Sequence, residues 1–147
     1  MWYSNNMQSE HRFETFSHTA DIGIVGIGKS KSEAFENAVF GIFSQVADLE
    51  KYQPDGYTTI EVDGVDDIDL LERFISKLIV VFEVDKQLPI SFEILELKDD
   101  MLICKIEYKN FAEDIEWLGP APKAVTFHRM LIEKINDIWK AQVIVDV

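Results

Sequence analysis

The helix that must begin at Ser30 is the strongest constraint on this chain. Ser30-Lys31-Ser32-Glu33 has the spacing of a capping box, a hydroxyl that can accept from the backbone N–H three residues on and a glutamate that can reach back. From it Ala34, Phe35, Ala38, Val39, Ile42, Phe43 and Val46 recur at helical spacing and form one apolar face. A second helix start follows at Asp66, Asp67 and Asp69, whose charges suit the positive end of a helix. The trio lacks the sixth-position glycine and distal glutamate of a calcium loop, so it reads as a cap. That helix turns Leu70, Leu71, Phe74, Ile75, Leu78 and Ile79 inward and Glu72, Arg73, Ser76 and Lys77 outward. Two such faces need an apolar surface to cover.

Strands supply it. Phe13–Phe16 alternates and predicts a short strand, interrupted by the polar His18–Asp21. Ile22–Gly28 is β-branched and glycine-spaced, which predicts a strand with a bulge or with close approach of a neighbouring backbone. Pro54-Asp55-Gly56 marks a turn before a strand over Tyr57–Val62. Pro89 opens the next β region, with strands over Ile90–Leu97 and Met101–Tyr108 across Lys98-Asp99-Asp100. A loop over Asn110–Pro122 follows, then a hairpin of Lys123–Lys134 and Ile138–Val147 across Ile135-Asn136-Asp137. The order is β, α, β, α and then at least four strands. It predicts an α+β fold of two layers, with two amphipathic helices packed on a largely antiparallel β-sheet.

The 147 residues suit one domain spanning 1–147, whose polar residues 1–11 are expected to be flexible. Apolar residues make up 47%, enough for a sizeable core. With 14 basic against 27 acidic side chains the net charge is −13, which repels phosphate backbones and favours basic partners or cations. Direct nucleic-acid binding is not expected. Trp2, Trp117 and Trp139 are scattered and offer no stacking ladder for single-stranded RNA. The single cysteine, Cys104, sits in the apolar run Met101–Ile106 and reads as a buried core thiol. No signal peptide and no run of the ~20 apolar residues needed to span a bilayer is visible, so a cytoplasmic location is expected.

One motif tempts. Gly23-Ile24-Val25-Gly26-Ile27-Gly28-Lys29-Ser30 matches the phosphate-binding pattern G-x-x-x-x-G-K-[ST], a capped helix follows it, and Val143-Ile144-Val145-Asp146 could support magnesium. A nucleotide hydrolase using Lys29, Ser30 and Asp146 is therefore the rival reading. Against it, the interior of the motif is Ile, Val and Ile, which prefer extended strand to a cradle. The downstream strand–turn–strand pattern is also foreign to a doubly wound sheet.

The preferred constellation is acidic. His18-Thr19-Ala20-Asp21 places an imidazole, a hydroxyl and a carboxylate within one short stretch, and the chain closes on Val145-Asp146-Val147. If the two stretches meet, Asp21, Asp146 and the main-chain carboxyl of Val147 gather three anions. Such a group repels itself unless a cation joins it, and hard ions such as Ca²⁺ or Mg²⁺ take oxygen ligands of this kind. Thr19 reads as a partner for nearby backbone donors, and His128 as structural.

Five stretches, taken in order, resemble the archease family. They are His18–Gly23, Glu33-Ala34-Phe35, Asp69-Leu70-Leu71, Lys123-Ala124-Val125-Thr126-Phe127-His128 and Val145-Asp146-Val147. The resemblance covers the chain from about Phe13 to Val147 and departs at Ala121-Pro122, where an acidic–apolar pair would be expected. It implies a two-layer α+β fold and an accessory protein, not itself an enzyme, for RtcB-type RNA ligases in tRNA splicing or RNA repair. Such proteins promote guanylylation of the ligase and its repeated turnover. The resemblance also implies a divalent-metal site at Asp21, Asp146 and Val147, with Lys123 acting in ligase activation. His18 could be a further ligand, but it reads first as bonding the turn and holding Asp21 in orientation.

Overall fold

The computed structural model describes residues 12–18 and 21–147, and of Ser17 and His18 the backbone alone. Residues 1–11, including Trp2, and Thr19 lie outside the described residues, with the expectations attached to them.

The chain runs β1 (Phe13–His18), β2 (Asp21–Gly28), α1 (Lys31–Ser44), β3 (Gly56–Asp63), α2 (Asp67–Glu83), β4 (Gln87–Leu97), β5 (Met101–Asn110), β6 (Ala124–Ile135) and β7 (Ile138–Asp146). A short 3-10 turn at Leu49–Lys51 precedes β3. Both helices start where their caps require. Ser30 Oγ accepts from Glu33 N–H at 3.1 Å, and Glu33 reaches back to Lys29 N–H at 2.6 Å. Asp66 accepts from Asp69 N–H at 2.9 Å while Asp69 accepts from Val65 N–H at 2.9 Å. The remaining acid, Asp67, pairs with Lys31 at 2.9 Å. The aspartate cluster is thus committed to capping and ion pairing.

The fold is α+β with two helices packed on antiparallel sheets, and the strands divide between two of them. One sheet has the order β1-β2-β7-β6 and the other β3-β5-β4. Each helix touches both sheets. For α1 the sequence shows how. Ala34, Ala38 and Gly41 give it a small side that presses on β1 and β2, with Gly41 against Ile24 and Phe13. Phe43 gives it a large side, stacked on Phe92 of β4 at 6.3 Å and tilted against Phe82 of α2 at 5.8 Å. A helix with a central glycine and several aromatic residues is held by packing more than by propensity. Phe35, Phe43, Phe74, Leu70, Leu71 and Leu78 are all at 0–2% exposure, and each such burial contributes roughly 1.5–3 kcal/mol.

The glycines of β2 explain the close packing. No bulge occurs in β2; its register runs unbroken against β1 and against β7. The alternative expectation holds, since a Cβ at Gly26 or Gly28 would strike the backbone of α1. At the β6–β7 hairpin the turn is tighter than the sequence suggested. Asn136 and Asp137, with φ of 52° and 65°, make a two-residue connection whose twist matches the strands. Pro89 lies inside β4, an edge strand, where its missing N–H costs no ladder bond. Trp117 packs edge-on against Phe82 and Phe111 while remaining 44% exposed.

Cys104 is fully buried on β5, and burial pushes its thiol up to about 12. A thiolate at neutral pH is therefore disfavoured in the fold. The expected outcome is that an aromatic disulfide reagent leaves the native protein untouched and titrates one thiol in denaturant. Rapid native labelling would contradict this burial.

Candidate metal site

The two acidic stretches meet. β2 and β7 are neighbours, and the antiparallel register sets Asp21 directly opposite Asp146 and Ile22 opposite Val145. The same register extends sideways: His18 stands opposite Asp21 on β1, and Ala124 stands opposite Asp146 on β6. His18, Asp21, Asp146 and Ala124 thus form one row across the four-stranded sheet. Residues of alternate parity in β2, including Ile24 and Gly26, face α1, so the row belongs to the opposite face.

Like charges directly opposed on neighbouring strands destabilise a sheet. Asp146 registers this. Its hydrogen bond with Asp21 and the negative charge of Asp21, aided by slight desolvation, raise its carboxyl above the usual range, and Lys123 pulls the other way. Asp146 is exposed and Asp21 half-buried. The register sets two negative charges against each other, and a bound cation would offset them. The donors are oxygen only, which suits a hard ion. Among the described residues no group of three or more His, Cys, Asp and Glu side chains converges for a metal. The pair alone would offer two ligands, and a complete site would need further oxygens, such as main-chain oxygens of Val147. Val147 is half-buried, with its side chain packed against the core.

Lys123 also lies at this corner. Its N–H donates to Asp146 O at 2.8 Å, continuing the β6–β7 ladder, and its side chain is exposed. The side chain of His18 lies outside the described residues; its register position is opposite Asp21.

The next row inward is Phe16, Gly23, Ile144 and Thr126. A Cβ at Gly23 would overlap the ring of Phe16, so the glycine lets that ring lie flat beside the carboxylates. Beyond Thr126 the ladder breaks. Between Thr126↔Ile144 and Leu131↔Gln142, β6 takes five steps where β7 takes two. The excess forms a bulge at Phe127–Met130, in which Arg129 is left-handed with φ 58°. His128 is exposed there and not within a buried strand. Sequence reasoning missed this feature by taking Lys123–Lys134 as one continuous strand, although its alternation lapses at His128-Arg129 and again at Met130-Leu131-Ile132. A second signal was Gln142, polar within the apolar run Ala141–Val145. It is 6% exposed and donates to Arg129 O at 2.7 Å.

The phosphate-loop reading is overturned. Gly23–Gly28 is extended strand paired on both sides, and Lys29 N–H is taken by Glu33. No cradle of converging N–H groups exists there. A cleft of about 600 Å³ does open beside Gly28 and Lys29, at the far end of β2 from Asp21. Its lining mixes Arg12 and Lys29 with Glu33 and Glu36, and Arg12 is spent on Asn37 at 3.1 Å. Glu36 accepts from Ile94 N–H at 2.7 Å and so covers the β4 edge. Desolvation by burial raises its carboxyl, the Ile94 bond opposing. The candidate carboxylates stand at the other end of β2. No helix among the described residues is long and apolar enough to cross a membrane.

Known proteins share this sequence pattern and this fold. The archease protein family matches residues 13–147. The archease of Pyrococcus abyssi is 33% identical over 141 residues, covering 92% of this chain and 99% of its own. That of Sulfurisphaera tokodaii is 33% identical over 137 residues with the same coverage, 92% and 99%. The solution structure of Methanobacterium thermoautotrophicum protein 1598 superposes with a TM-score of 0.77 at 28% identity, covering 92% of this chain and 99% of that one. A Thermotoga maritima structure, described as an archease and possible chaperone, shares the fold at a TM-score of 0.63 and 19% identity, covering 90% and 94%. With a family match over almost all of its length and relatives a third identical, the chain belongs to the archease family.

Proposed function

We propose that this protein is a cytoplasmic accessory factor that activates an RtcB-type RNA ligase, promoting its guanylylation and repeated turnover in tRNA splicing or RNA repair. It is not itself the ligase. The observation that carries this reading is the cross-strand pair Asp21–Asp146, two carboxylates held opposite each other at a sheet corner with Asp146 drawn toward protonation. Together with the main-chain carboxyl of Val147 they would hold a divalent cation, Ca²⁺ or Mg²⁺. Bound there, the ion would supply positive charge beside the ligase's nucleotide pocket. The protein's own residues present and orient the site: the β2–β7 ladder fixes the two acids, and Lys123 tempers their charge. His18, opposite Asp21, would orient it. The acidic balance of −13 favours approach to a basic protein surface.

The deciding experiment measures covalent guanylate on the ligase, with GTP and divalent ions, in the presence and absence of this protein. Faster or more complete guanylylation, and more than one ligation per ligase, are expected. Identical time courses with and without it would contradict the proposal.

A further inference from the structure

We propose that the β6 bulge, Phe127–Met130, is the docking element of this face, and that Phe127 is the side chain a protein partner buries. The proposal rests on the ligase reading of the carboxylate corner and names the surface through which that partner is engaged.

Phe127 is 57% exposed, and it stands on the bulge, where β6 departs from its ladder. The bulge is fixed at several points. Gln142 donates to Arg129 O at 2.7 Å, and His128 N–H donates to Thr126 Oγ1 at 3.0 Å. The Arg129 guanidinium lies over the Phe16 ring at 5.8 Å. A non-glycine residue in the left-handed region persists only when its surroundings impose it, and such strain gathers at functional places. Bulges at sheet edges re-aim side chains in this way. Here the side chain re-aimed is a large apolar one, held outward on a rigid base. Leu131 at 41% and Ile135 at 47% exposure continue the apolar character along β6, an edge strand of its sheet.

The position links this element to the acids. Thr126, which opens the bulge, lies two residues along β6 from Ala124, the cross-strand partner of Asp146. That separation is about 7 Å along a strand. One corner of the molecule therefore carries an apolar anchor next to a carboxylate row.

Charge selects the occupant. A nucleic acid would be repelled by the −13 chain and by the row itself. A second copy would bring the same net charge and the same acids, and the bulge breaks the edge that strand-to-strand pairing would need. A basic protein surface with an apolar slot is complementary to both features at once. Exposed aromatic anchors of this kind carry most of the affinity in such contacts.

The test titrates an RtcB-type ligase with the full chain, as wild type, Phe127→Ala and Phe127→Leu, and reads the Kd. Because Phe127 is more than half exposed, both variants are expected to melt with the wild type and to keep its response to Mg²⁺ or Ca²⁺. Phe127→Ala is expected to weaken binding at least ten-fold and Phe127→Leu by less, with guanylylation restored at saturating concentrations. Wild-type affinity in Phe127→Ala, with the wild type itself stimulating the ligase, overturns the docking element and leaves the activator role standing. Loss of a self-dimer in Phe127→Ala without a change in ligase affinity assigns the bulge to a second copy and overturns it too. A wild type that neither binds nor stimulates the ligase overturns the activator role, and the docking proposal falls with it.

Discussion

Gly26→Ala is expected to cost at least about 3 kcal/mol, beyond the usual range for one added methyl in a packed core. Its Cβ would fall within contact of Ala34 O and Ala38 N, and 2.7 Å from Ala38 Cβ. The first two are backbone atoms of α1, which cannot rotate aside as a side chain would. To make room, α1 must lift off β2, and it is the same helix that packs Phe43 against β4 and α2. With a total stability of roughly 5–15 kcal/mol for a domain of this kind, the variant should melt far below the wild type or fail to accumulate. Gly64→Ala is the control. The atoms nearest its Cβ belong to the side chains of Asp69 and Leu70, at 3.0 and 3.1 Å, which need give only by a few tenths of an ångström, so a smaller loss is expected there. Denaturant titrations of the two variants check the contrast. Wild-type stability in Gly26→Ala would mean that α1 does not lie on β2 as described.

Asp21→Asn is expected to abolish stimulation of the ligase while leaving the fold intact. The amide keeps the shape of the carboxylate and its place opposite Asp146. It removes one of two opposed negative charges, so the metal-free variant should be no less stable than the wild type. It also removes one of the few anionic ligands a hard cation has here, and divalent binding should fall below detection. Guanylylation assays beside melting curves separate these effects. A variant that folds and still stimulates fully would remove Asp21 from the mechanism.

Much of the helical layer was legible in the sequence because its signals are local. Ser30 with Glu33, and Asp66 with Asp69, announced their helices by hydrogen bonds spanning three residues. The apolar faces followed from spacing alone. The sheets were less legible. Alternation says which residues share a face, but not which strand lies alongside, so the division into two sheets could not be read. The glycines of β2 were ambiguous for a related reason. Gly26 and Gly28 looked like a bulge or a phosphate loop, and only the position of α1 shows that they make a groove for it.

The candidate site was legible in another way. Asp21 and Asp146 stand near opposite ends of the chain, and no local rule pairs them. Family likeness suggested the pairing, and strand register supplies its physical form. The bulge at Phe127–Met130 escaped both, because it depends on a distant buried side chain, Gln142, that no strand pattern requires.

Thermal melting with and without Mg²⁺ or Ca²⁺, in the wild type and in Asp146→Asn, reaches most directly whether two opposed carboxylates on β2 and β7 share one divalent ion. A ligand that binds only the folded state raises the melting temperature as its concentration exceeds Kd. The wild type should gain stability as millimolar divalent ion is added, and Asp146→Asn should not. Equal responses in the two proteins, or none in the wild type, would contradict the shared-ion site.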